Sequence, residues 1–333
     1  VVNGLLLTNS YRFEISFSPA KAGLIFMNQK AVAKISLTGF LVTFASAILF
    51  STKAVIVKKA FIDIKVDALS LLAVRMICAL PFYLIVAFFK NRSQGNVKMS
   101  GRQWGFLIVL GLMGYYISSY LDFLGLQYIS AGLERLILFL YPSITVLITA
   151  WVFKEKVSGM QKWALLVTYL GIAIAYYGEL RIDADNPNFY WGSFLIFLCA
   201  LSFGFFTAGG GQLIPKIGAV KYTAYGTTVA SLGVLLHYVI NGDYTTLLAG
   251  QPSFWMYGIL LAIVATVIPT FLISEGVKRI GSSNVAIVSS IGPVSTILQA
   301  HFILGEKTFP AQIAGTVLVI LGVILAGWRT KEI

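Results

Sequence analysis

Gly125 to Gly171 reads GLQYISAGLERLILFLYPSITVLITAWVFKEKVSGMQKWALLVTYLG, and Gly276 to Gly322 reads GVKRIGSSNVAIVSSIGPVSTILQAHFILGEKTFPAQIAGTVLVILG. Laid over each other without a gap, the stretches match Gly125 with Gly276, Ile129 with Ile280, Pro142 with Pro293 and Glu155-Lys156 with Glu306-Lys307. Gln161 likewise falls on Gln312 and Gly171 on Gly322, and upstream Trp104 falls on Trp255, all at an offset of 151 residues. A repeat of this kind in a very apolar chain indicates a membrane protein built from two related bundles, an architecture suited to carrying something across the bilayer.

Composition supports the membrane setting. The 333 residues are 58% hydrophobic and only 11% charged, against about 25% charged in an ordinary soluble domain, and the mean hydropathy is +0.84. The net charge of +12 would suggest nucleic acid in a soluble protein; here the cations flank apolar runs, so no nucleic-acid partner is expected. Cys78 and Cys199 both lie inside such runs, too few and too far apart for a disulfide framework or a metal site. Residues 1–34 differ from the rest: they lack the order of a signal peptide, and Met27 before Lys30 and Lys34 is the expected natural start.

The apolar runs predict ten spans: Ile35–Val57, Val66–Phe89, Trp104–Leu124, Ala131–Phe153, Met160–Gly178, Trp191–Gly211, Ala219–Ile240, Ser253–Glu275, Ser283–Leu304 and Phe309–Trp328. Each is near the roughly 20 residues that cross a bilayer. All six tryptophans fall at predicted ends, where an amphipathic ring prefers the headgroup level. With the N-terminus inside, 17 Lys and Arg residues fall in cytoplasmic loops and tails and 5 outside, so the positive-inside rule predicts a multi-pass protein of the cytoplasmic (inner) membrane with both termini cytoplasmic. The expected domains are a tail at 1–34, a first five-helix repeat at 35–178 and a second at 191–328. Five spans per copy, an odd number, make the second copy inverted, and an inverted repeat provides two equivalent packings, one open to each side. The fold expected is thus all-α and membrane-integral, with ten transmembrane helices in two inverted five-helix repeats around a central cavity.

The residues Gly125 to Gly132, Tyr141-Pro142-Ser143 and Phe153 to Lys156, with their partners Gly276 to Ser283, Gly292-Pro293-Val294 and Leu304 to Lys307, resemble the helix signature of EamA domains in the drug/metabolite transporter superfamily. Arg75 is similar to an arginine common at that place in the family. The resemblance covers about Ile35 to Trp328. It implies export or exchange of amino acids, organic acids, nucleotide sugars, sugar phosphates or drugs. The small multidrug relatives couple to protons through a glutamate in the first helix; here the first span carries Lys53 and no acid.

Ionisable residues inside spans cost about 2.5–3.5 kcal/mol at the bilayer centre and are functional candidates by default. Arg75 is predicted deepest, near the midplane, and two readings stand: an anchor for a substrate carboxylate or phosphate, or a structural arginine tied to carbonyls or a neighbouring acid. Lys53, one turn from the end of its predicted span, reads as a snorkelling lysine or a cavity residue. Glu134 and Arg135 open the fourth span. A glutamate there suits a helix N-terminus, and adjacent residues face different directions. Asp122 is a partner for Arg135 or Lys53. Tyr120, with Tyr115 and Tyr116, lines a cavity or packs. Tyr141-Pro142 and Pro293 mark bends that free carbonyls or merely kink the packing.

None of the charges repeats. Glu134 corresponds to Val285, Arg135 to Ala286 and Asp122 to Ile273; at an offset of about 153, Lys53 corresponds to Phe206 and Arg75 to Thr228. The repeated residues read as scaffold and the unrepeated charges as specialisation of one cavity wall. His237 and His301 read as packed or interfacial. No HExxH, GxSxG, paired-acid or Walker-type motif occurs, so no enzyme activity, cofactor or metal is expected, and transport is driven by a gradient or by exchange. The expected function is secondary transport of a small metabolite by alternating access, as exporter or exchanger, with a small-molecule substrate and membrane lipids as partners. A lipid or lipid-linked-intermediate translocator and a multidrug exporter are the alternatives.

Overall fold

A computed structural model describes residues 37–92, 97–152, 154, 159–182 and 186–327, all within one compact unit. The expectations for the tail at 1–34 with Met27, for Glu155-Lys156 and for Trp328 lie outside the described residues. Every regular element among the described residues is helical: α1 Leu37–Ile64, α2 Ala68–Arg92, α3 Gly101–Gly111, α4 Ser118–Leu126, α5 Ala131–Leu138, α6 Tyr141–Val152 and α7 Gly159–Ile182. Then follow α8 Phe189–Ile217, α9 Ala219–Asn241, α10 Tyr244–Leu248, α11 Pro252–Ala262, α12 Ile268–Ser289, α13 Gly292–Gln299 and α14 Pro310–Gly327. π-helical stretches join α3 to α4 at Leu112–Ile117 and α11 to α12 at Ile263–Val267, and a third, Ala300–Leu304, follows α13.

Among the described residues, eight helical stretches are long and apolar enough to cross a membrane: Leu37–Ile64, Ala68–Arg92, Gly101–Leu126, Ala131–Val152, Lys162–Leu180, Phe189–Ile217, Ala219–Asn241 and Pro252–Val277. The chain is a multi-pass membrane protein. The last two predicted spans differ from expectation. Ser283–Leu304 is not one helix: α12 runs on to Ser289, the chain turns at Ser290-Ile291, and α13 and a π-helical stretch complete it. The tenth is α14, whose apolar part, Pro310–Gly322, is shorter than the other spans.

Sequence signals explain where helices start and break. Ser100 and Gln103 form a reciprocal capping box at α3, with Ser100 N donating to Gln103 Oε1 at 2.8 Å, and Ser130 Oγ accepts from Leu133 N at 3.0 Å to open α5. Proline has no N–H and blocks the preceding turn, so helix restarts at Tyr141-Pro142 and again at Gly292-Pro293. These irregularities repeat at the spacing of the sequence. Gly101–Gly111 and Pro252–Ala262 begin and end 151 residues apart, and so do the starts of both π-helical stretches and of α6 and α13. Matching the starts of α2 and α9 places Gly226, rather than Thr228, opposite Arg75.

The most extensive contacts join the two halves: α1 lies against α12 and α13, α2 against α9, α8 against α4 and α6, and α7 against α14. Small residues let the last pair approach: a Cβ on Gly171 would sit 2.6 Å from Gly315 O, and one on Gly322 would strike Thr168. Trp104, Trp151, Trp163 and Trp191 project outward, exposed, as rings at a lipid boundary do.

Candidate functional site

Lys53 anchors the site. The first span predicted from hydropathy stops at Val57, but α1 continues to Ile64, because its later polar residues have partners. Lys58 Nζ donates to the carbonyls of Leu126, at 3.2 Å, and Ile129, and Lys59 pairs with Asp63 at 2.8 Å, four residues on. Lys53 therefore lies only about 4 Å along the axis from the middle of α1, whereas Arg75 lies about 7.5 Å from the middle of α2. The Lys53 ammonium turns inward to a buried acid rather than outward along the helix.

The Lys53 ammonium is 2.7 Å from Asp122 Oδ2, and Asp122 is fully buried on α4. Glu134, also fully buried, comes from α5, and its carboxyl abuts that of Asp122. Among the described residues neither Glu134 oxygen receives a hydrogen bond. Glu134 does not serve the helix N-terminus expected for it. Glu306 does, accepting from Ala131 N at 2.9 Å and Gly132 N at 3.3 Å across the two halves. The repeated glutamate is thus a brace between halves and the unrepeated one belongs to the charge cluster.

Arg135 points elsewhere on α5, toward the turn before α13. A Cβ on Gly292 would come within 3.0 Å of Arg135 Nη2, so the absence of a side chain there admits the guanidinium. Ser51 Oγ donates to Gly292 O at 3.0 Å and Thr296 Oγ1 to Ser51 O at 3.3 Å, holding α1 on this turn. Among the described residues Arg135 Nε has no hydrogen-bond partner, and its Cζ lies 5.7 Å from the Phe139 ring centroid. Pro142 and Pro293 thus stand at real helix breaks, and the second of these borders a cation.

Arg75, 5% exposed, donates from Nε to Thr266 Oγ1 at 3.1 Å and lies over the Phe123 ring at 5.6 Å. Its Nη1 is buried without a partner among the described residues. Asp122, Tyr83 and Tyr115 are within electrostatic reach. Thr266 and Tyr115 sit on the two equivalent π-helical stretches, so both converge on Arg75; such stretches concentrate at functional sites. A crevice between α2, α9 and α12 is lined by the hydroxyls of Tyr83, Thr223, Thr270 and Ser274 and by apolar side chains such as Val86, Val220 and Phe271, with Tyr83 Oη donating to Thr270 Oγ1 at 3.2 Å.

The structure therefore brings together Lys53, Asp122, Glu134, Arg135 and Arg75. It does not add Tyr120, whose ring meets His237 at 5.0 Å, while Tyr116 Oη and His237 Nδ1 are 3.0 Å apart. Tyr141 joins an aromatic cluster, 4.9 Å from the Phe203 ring. Thr266 and Phe123 went unnoticed in the sequence. The only signal for Thr266 was a hydroxyl within an apolar span.

Buried, unrepeated charges between two repeated helical halves define the class of a membrane transport protein. The chain matches the model of the EamA-like transporter family over residues 37–177 and 190–328, and it belongs to that family. It is similar to an uncharacterized transporter, YcbK, of Bacillus subtilis (strain 168), at 29% identity over 80% of this chain and 85% of the relative. A second relative in that organism, the uncharacterized transporter YyaM, is 22% identical over 77% of this chain and 85% of its own length. A solved crystal structure of a protein superposes with a TM-score of 0.61 at 16% identity, covering 86% of this chain and 95% of that one, a likeness of fold alone.

Proposed function

We propose that this protein is a secondary transporter that moves a small metabolite, an amino acid, organic acid or related solute, across the cytoplasmic membrane by alternating access, as an exporter or exchanger. The observation that carries the reading is the cluster of buried Asp122, Glu134 and Arg75 with half-buried Lys53 and Arg135, set between halves whose element boundaries repeat every 151 residues. In this reading the halves are inverted five-helix bundles within 35–178 and 191–328, ten spans in all, with both termini cytoplasmic. The unpartnered Arg75 Nη1 and Arg135 Nε supply fixed donors for a substrate carboxylate, and buried groups without partners are where a ligand gains most.

The test is solute uptake into proteoliposomes across a panel of amino acids and organic acids. Flux that Arg75→Ala reduces at least tenfold, with the variant still folded in detergent, supports the reading. Flux equal to empty liposomes for every solute refutes it, and lipid movement without solute flux selects the lipid translocator instead.

A further inference from the structure

Glu134 and Asp122 present a problem of donors and acceptors. Two ionised carboxylates offer only lone pairs to each other, and like charges in contact do not both stay ionised when buried. Both side chains are fully buried, their carboxyls abut, and among the described residues neither Glu134 oxygen receives a hydrogen bond. The nearby ammonium is committed to Asp122, with Lys53 Nζ 2.7 Å from Oδ2. Arg135 follows Glu134 on the same helix but directs its guanidinium to the turn at Gly292.

The geometry points to a proton-binding site: we propose that the Glu134 and Asp122 carboxyls hold one proton between them, carried on Glu134 and donated to Asp122, with Lys53 fixing which carboxyl remains charged. A protonated Glu134 has an O–H to give and an ionised Asp122 has a lone pair to accept it, so a single proton turns the contact from repulsion into a charge-assisted hydrogen bond. On release, the proton leaves Glu134 for water on whichever side the cavity opens, and the Lys53 ammonium is left to share two carboxylates.

The charged and titratable groups on the helices packed against the pair are these. Lys53 lies on α1, Arg75 on α2 and Cys199 on α8, Arg135 lies on α5 itself, and α7, also against α5, carries the buried Glu179. α13 brings no titratable side chain. The excess of cations stabilises the charged carboxylate, so the proton is held by contact with a second acid rather than by an apolar pocket. The proton site rests on the carboxyl geometry; its use in coupling solute movement to a proton gradient rests on the transport reading.

Infrared titration of the purified protein in detergent tests the site. Wild type should show a protonated-carboxyl C=O band, shifted by deuterium exchange, equivalent to one group per chain, which disappears as the pH is raised. Glu134→Gln should remove it, because Asp122 then pairs with Lys53 alone, and Asp122→Asn should remove it as well, because Glu134 inherits the ammonium. Arg75→Lys should keep it. Absence of the band in wild type, or its survival unchanged in Glu134→Gln, overturns the proposal, and the wild-type titration decides even where a variant fails to fold. Persistence of the band in a protein that moves no solute would remove the transport reading and leave the proton site standing.

Discussion

Replacing Lys53 by methionine keeps the length of the side chain and deletes its charge, leaving Asp122 fully buried without its 2.7 Å partner. Breaking a buried pair on one side costs about 3–5 kcal/mol. An independent bound comes from chemistry: an uncompensated carboxylate can always take up a proton. Taking a carboxyl of ordinary pKa near 3.9 to its neutral form at pH 7 costs about 4 kcal/mol, and at pH 5 about 1.5 kcal/mol. The two figures agree, so Lys53→Met should lose about 4 kcal/mol of stability at pH 7 and recover more than half of that at pH 5. The sign follows from proton counting: the folded variant binds a proton that the unfolded chain does not, so its stability falls as pH rises. The assay is denaturant unfolding in detergent at both pH values, with Lys53→Met/Asp122→Asn as the compensated control. A variant as stable as wild type at pH 7, or a loss that does not change with pH, would refute the reasoning.

Two further outcomes follow from contacts between the halves. Gly171→Leu places a side chain where even a Cβ would lie 2.6 Å from Gly315 O, and overpacking of this kind costs about 1–3 kcal/mol; it should lower the thermal midpoint, and an unchanged midpoint would contradict the close approach of α7 and α14. Glu306→Ala removes the acceptor of Ala131 N and Gly132 N, worth about 1–2 kcal/mol for a helix N-terminus; faster hydrogen exchange confined to the start of α5 is the expected readout, and unchanged exchange there would count against the brace.

The repeat was legible because prolines and glycines act locally: Pro142 and Pro293 each mark a helix restart, and a one-letter string displays their spacing. Three things were hidden. The true length of α1 was hidden because hydropathy ends a span at its first charges, while Lys58 and Lys59 continue the helix by finding carbonyls and Asp63. The Arg75 partner Thr266 is 191 residues away, and no local pattern announces a pairing across halves. The assignment of Glu134 to a helix terminus went astray because the actual anion, Glu306, arrives from the other repeat. Composition predicted membrane helices, but it did not reveal that the ninth predicted span is broken at Ser290-Ile291, where α12 and α13 meet.

A π-helical stretch records the insertion of a residue into an α-helix. Leu112–Ile117 and Ile263–Val267 start the same distance apart as the paired prolines, so the same widened turn is built into both halves. Lys53, Asp122, Glu134 and Arg135 have no such twins. The chain thus pairs an irregularity common to both walls, which gives each the same bend, with a charge set confined to one wall, so that the two halves share a shape but not a chemistry.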